Sequence, residues 1–135
     1  MMKDTGLLFG RLLLGAIFVS SGFGKVMHLD VFAQSLANRG VPMSTPLSVL
    51  GALVEFLGGI AIVIGLQVRW ASMLMILFVI VATLISHRYW EFADAARRTQ
   101  ETQFMKNVAI IGGFLLLMAS GGGRFSLDRL LGKKN

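Results

Sequence analysis

The chain of 135 residues has no cysteine, two prolines, one tyrosine, two histidines and only seven acidic residues. Without cysteine there is no disulfide framework, no thiolate metal site and no dithiol redox chemistry. The missing thiols also remove the usual clue to redox compartment. With two histidines, a bis-histidine haem would need both His28 and His87. Charge of either sign is scarce, at 15% of residues against 55% hydrophobic. The few acids leave a net charge of +6. A basic excess can serve nucleic acid or anionic lipid. Here the basic residues flank long apolar runs, so lipid headgroups are the expected partner and nucleic acid is not. The mean hydropathy of +0.72 is far above that of a soluble domain. No cleavable signal peptide is expected, because the first apolar run is too long for a signal h-region.

What is present is four apolar stretches in one domain, 1–135. A span needs about 20 such residues at 1.5 Å each. The expected spans are near 5–26, 46–68, 70–87 and 104–120, followed by a basic tail at 121–135. The fold class is therefore all-α, an integral membrane antiparallel four-helix bundle. In the first loop, Asp30 to Gly40 has an N-cap residue, apolar Val31, Phe32 and Leu36, and a terminal glycine. It reads as a short interfacial helix. Pro42 and Pro46 punctuate the turn after it, and Tyr89, Trp90 and Phe92 suit the headgroup belt.

Four spans put both termini on one side. Lys3, Arg69, Arg124, Arg129, Lys133 and Lys134 make six basic residues there. Lys25, Arg39, Arg88, Arg97, Arg98 and Lys106 make six on the other side. The positive-inside rule ties, and the compact basic tail is the one asymmetry that favours cytoplasmic termini.

The residue that stands out is Glu55, in the middle of the second span. A carboxylate there costs roughly 2.5–3.5 kcal/mol on insertion scales, so it should face the bundle interior and have a partner. It shares a helical face with Gly51, Gly58, Gly59 and Ile62. In the first span, Arg11, Gly15, Phe18, Gly22 and Lys25 form a similar stripe. Glycines on such stripes let helices approach closely, and Gly112 and Gly113 are candidates for the same role in the fourth span. Lys25, His87 and Asn107 all fall on the first-loop side, toward which Glu55 leans. These four are expected to line one polar pocket. Arg11 lies nearer the opposite face, where it either reaches Glu55 or snorkels to headgroups. Each residue has a plainer role as well. Lys25 and Arg11 can anchor span ends, His87 can sit at the interface, and Glu55 can be a structural ion-pair partner. Asn107 can be interhelical glue worth roughly 1 kcal/mol.

The run Arg11-Leu-Leu-Leu-Gly15-Ala-Ile-Phe18-Val-Ser-Ser-Gly22-Phe-Gly-Lys25 resembles the opening motif of the DoxX family of small four-span membrane proteins. Gly40-Val-Pro42, Glu55-Phe-Leu-Gly58-Gly59, Gly65-Leu66, Phe104-Met-Lys-Asn107 and Gly112-Gly113 extend the likeness. The ending Gly121-Gly-Gly-Arg-Phe-Ser126-Leu-Asp128-Arg129 completes it. Within that family the chain resembles the YphA-type branch of the bacterial inner membrane. The resemblance implies an association with quinone, thiol or oxidative-stress chemistry, often as a partner of other membrane proteins.

A quinone headgroup suits the expected pocket, with Lys25, His87 or Asn107 donating to a carbonyl and Glu55 as the candidate catalytic residue that relays a proton. The chain carries no redox group of its own, so a bound quinone is the expected cofactor, and the electron donor would be a bound cofactor, the substrate or a partner. Three readings follow. One is a lipophile-binding subunit of a membrane oxidoreductase. Another is a non-catalytic assembly or stability partner of a second membrane protein. The third is a small transporter with Glu55 on its path.

Overall fold

The computed structural model describes residues 1–132; Lys133 and Lys134 of the expected basic tail lie outside the described residues. Among the described residues six α-helices follow in order: α1 (Met2–Met27), α2 (Leu29–Asn38), α3 (Ser44–Ile64), α4 (Val68–Ser86), α5 (Asp94–Ser120) and α6 (Leu127–Leu130). A 3-10 turn, Tyr89–Glu91, precedes α5. Four helical segments, those built on α1, α3, α4 and α5, are long and apolar enough to cross a membrane.

α1 packs most closely on α3, and α4 on α5; a contact between α3 and α4 joins the pairs. Phe18 of α1 closes the bundle against Phe114 of α5, with ring centroids 5.5 Å apart. Ile62, Val68, Met75, Val79 and Leu117 fill the core around them. The outward faces carry Leu13, Ile17, Leu57 and Leu116, all exposed. Such a girdle suits hydrocarbon rather than water.

The α1–α3 pair is antiparallel and held backbone to backbone. A Cβ on Gly22 would lie 2.6 Å from the Phe56 amide nitrogen, and one on Gly59 would lie 2.8 Å from that of Val19. A Cβ on Gly15 would collide with Gly59 and Val63, and one on Gly58 with the Met75 thioether. Gly113 meets Leu14, and Gly51 has only ordinary contact with Phe32. Gly112 differs from the expected packing role: its side faces open space, because the helix turns Gly113 toward α1 instead.

α2 ends in a Schellman turn. Gly40 has φ 75°, Gly40 N donates to Ala37 O, and Val41 N donates to Leu36 O. The helix begins at Leu29, so Asp30 sits in its first turn rather than at the cap, where its charge still favours the dipole. α3 ends the same way at Gly65, φ 77°. α5 starts well before the apolar segment expected from Phe104. No proline or glycine interrupts Asp94 to Gln103, and the Thr99 and Thr102 hydroxyls donate back to the Ala95 and Arg98 carbonyls.

Candidate functional site

The α1–α3 register decides which polar residues meet. Gly22 lies against Phe56, so one turn further along α1 Lys25 comes level with Glu55. The Lys25 Nζ donates to Glu55 Oε2 at 2.5 Å. The Glu55 side chain is 4% exposed and that of Lys25 is 31% exposed. Lys25 is the hydrogen-bond partner of Glu55 among the described residues. The Lys25 ammonium also lies 5.1 Å from the centroid of the Phe32 ring on α2. A buried carboxylate, a half-buried ammonium and an aromatic face thus make one unit at the first-loop end of the bundle.

Beside this unit a groove of about 480 Å³ runs between α3 and α4 beneath α2. Leu50, Val54, Leu74, Phe78 and Val81 are among its apolar walls. Lys25, Ser35, Arg39, Ser86 and His87 supply its polar lining. Glu55 does not line it; Lys25 stands between the carboxylate and the opening. The site is therefore an apolar groove with a polar end, not the polar pocket centred on Glu55 that the sequence suggests.

His87 lies at the C-terminal end of α4, on the groove wall, with Nδ1 2.8 Å from Gln100 Oε1 on α5. The donor and acceptor roles in this contact depend on the imidazole tautomer. Asn107 is elsewhere. Its Nδ2 donates to Thr83 Oγ1 at 2.8 Å, and Thr83 donates to Val79 O at 2.6 Å. Asn107 thus joins α5 to α4 and does not line the groove.

Arg11 neither reaches Glu55 nor snorkels. It lies fourteen residues before Lys25, a distance along α1 of about 21 Å. It is fully buried. Its Nη2 donates to Phe125 O at 2.5 Å and its Nη1 to Val63 O at 3.5 Å. The segment after α5 folds back over it. Asp128 accepts from the Gln67 and Val68 amides at 2.7 and 3.0 Å, capping α4 from a distant part of the chain. The Asp128 amide donates to Gly65 O, and Ser126 caps α6. Phe18, Ile62 and Phe114 separate this polar latch from the Lys25–Glu55 pair.

Arg39, Ser35 and Phe32 were not singled out from the sequence as site residues. All three lie on or beside α2, whose amphipathic pattern was legible but whose seat over α3 was not. Asp128 was visible as the acid in a basic tail, yet nothing in the pattern shows which helix it caps.

Four spans with a buried intramembrane ion pair define a small polytopic membrane protein. Residues 6–88 match the DoxX family, and the chain belongs to it. It is 35% identical to inner membrane protein YqjF of Escherichia coli over 134 residues, covering 98% of this chain and 97% of that one. It is 36% identical to inner membrane protein YphA of the same organism, over 91% of this chain and 88% of that one. Membrane protein Rv3486 of Mycobacterium tuberculosis is 29% identical over 92% of this chain and 80% of its own. No solved structure matches.

Proposed function

We propose that this DoxX-family protein binds a small lipophile in the groove under α2. In this reading Lys25 is the polar contact and Glu55 is the buried group that holds Lys25 in place. The observation that carries it is the position of Lys25. The residue is fixed from behind by a buried carboxylate and forms the polar end of an otherwise apolar groove. A volume near 480 Å³ falls within the range of small-molecule sites, about 300–1,000 Å³. A flat headgroup with acceptor atoms, such as a quinone, suits a site that offers an ammonium donor beside an aromatic face. The names of the Escherichia coli relatives support placement in the bacterial inner membrane. Service to a membrane oxidoreductase belongs to the same proposal, with electrons supplied by the partner.

The test is a titration of the purified protein with a soluble quinone analogue, followed by difference absorbance. Saturable binding that weakens in Lys25→Met supports the reading. Absence of saturation, or equal binding by wild type and Lys25→Met, refutes it. A second reading takes its support from the closed Lys25–Glu55 pair. In that reading the pair is structural, and the protein stabilises a membrane partner. A partner that co-purifies in fixed ratio and disappears from membranes lacking this protein, with no ligand bound, favours it.

A further inference from the structure

The charge around the groove is uneven. Among the described residues its ionisable lining is Lys25, Arg39 and His87, with no carboxylate. Glu55 balances Lys25 from behind. Arg39 has no acidic partner among the described residues. Its Nη1 donates to the Ser35 carbonyl oxygen at 3.0 Å and also to the Ser35 hydroxyl. Those bonds tie the guanidinium to α2, beside the mouth of the groove, without neutralising it. An apolar trough closed at one end by an unbalanced guanidinium and an ammonium is a site with polarity along its length.

We propose that the occupant is a single-chain amphiphile with an acidic headgroup, of the long-chain carboxylate class. The chain lies between α3 and α4 along Leu50, Val54, Leu77 and Val81, and the headgroup sits under α2. A carboxylate is acceptor-only and matches the guanidinium fork, which forms stronger bonds with an anion than with a neutral carbonyl. A neutral headgroup would gain nothing from the Arg39 charge, which is exposed and otherwise faces solvent. The volume of the groove favours one chain over a two-chain phospholipid. This inference rests on the lipophile-binding reading above and narrows it to one headgroup chemistry.

The experiment is displacement of a dansylated long-chain carboxylate from the full-length protein in nanodiscs of zwitterionic lipid. The competitors are oleate, oleyl alcohol and decylubiquinone. Oleate is expected to displace the probe at a concentration about threefold to fivefold lower than oleyl alcohol, the ratio that one exposed ion pair supplies. Arg39→Gln should bring the ratio near one. Arg39 is exposed, so the variant should fold, and an unchanged melting temperature checks this. Equal displacement by alcohol, quinone and oleate, unaltered in Arg39→Gln, overturns the acidic-headgroup inference and leaves lipophile binding intact. Loss of the probe on adding phosphatidylglycerol to the nanodisc, with no effect of oleate, overturns the single-chain assignment. Failure of every probe and competitor to bind saturably removes both readings.

Discussion

The Lys25–Glu55 pair is asymmetric, and its two ends should respond differently to substitution. Glu55 is buried on all sides, whereas Lys25 keeps about a third of its side chain exposed. Removing the lysine strands a carboxylate in the bundle; removing the carboxylate frees an ammonium that can turn toward water or headgroups. Lys25→Ala should therefore destabilise the protein by about 3–5 kcal/mol, the range for breaking a buried pair. Glu55→Gln retains an acceptor for Lys25 and should cost less, about 1–2 kcal/mol. Thermal unfolding of the two variants in one detergent gives the order directly. Equal losses would show that the pair is solvated in a way the burial does not suggest. Asn107 is a separate case. Asn107→Ala removes one interhelical hydrogen bond to Thr83 and should cost about 0.6–1.7 kcal/mol without altering lipophile affinity.

At the scale of elements, the glycines of α1, α3 and α5 separate into those that are needed and those that are not. Gly22→Ala places a methyl against the Phe56 backbone and should destabilise by about 1–3 kcal/mol through overpacking. Gly112→Ala meets nothing and should be neutral or stabilising by about 0.5–1 kcal/mol, since glycine is a poor helix former. Comparison of their melting temperatures tests the α1–α3 interface. The latch at the other end is a second element-scale feature. Asp128→Ala leaves the first amides of α4 without their cap and should cost about 2–3 kcal/mol. Hydrogen exchange should rise at Gln67 and Val68, and not at Lys25 or Glu55.

Much of this was legible in the sequence because membrane helices advertise themselves through length and apolarity. The buried stripe Arg11, Gly15, Phe18, Gly22 follows from helical spacing alone. So does the inward face of Glu55. Spacing does not give the axial register between two helices, and that register separates Arg11 from Glu55 while joining Lys25 to it. Nor does it show that a C-terminal segment folds back to meet Arg11 and cap α4.

At the scale of the molecule, the bundle has a polar cluster near each end and an apolar layer between them. The terminal-side cluster is closed by the latch, with Asp128 buried. The other opens into the groove through Lys25. This contrast is why the groove end is assigned to ligand and the latch end to stability. A lipophile bound as proposed would occupy the space between α3 and α4 beneath α2. Photolabelling with an alkyl-diazirine amphiphile in nanodiscs, mapped by mass spectrometry, tests it most directly. Labels are expected on Leu50, Val54, Leu77 and Val81, and excess unlabelled amphiphile should remove them. Labels spread evenly over Leu13, Ile17 and Leu116, and untouched by competitor, would contradict it.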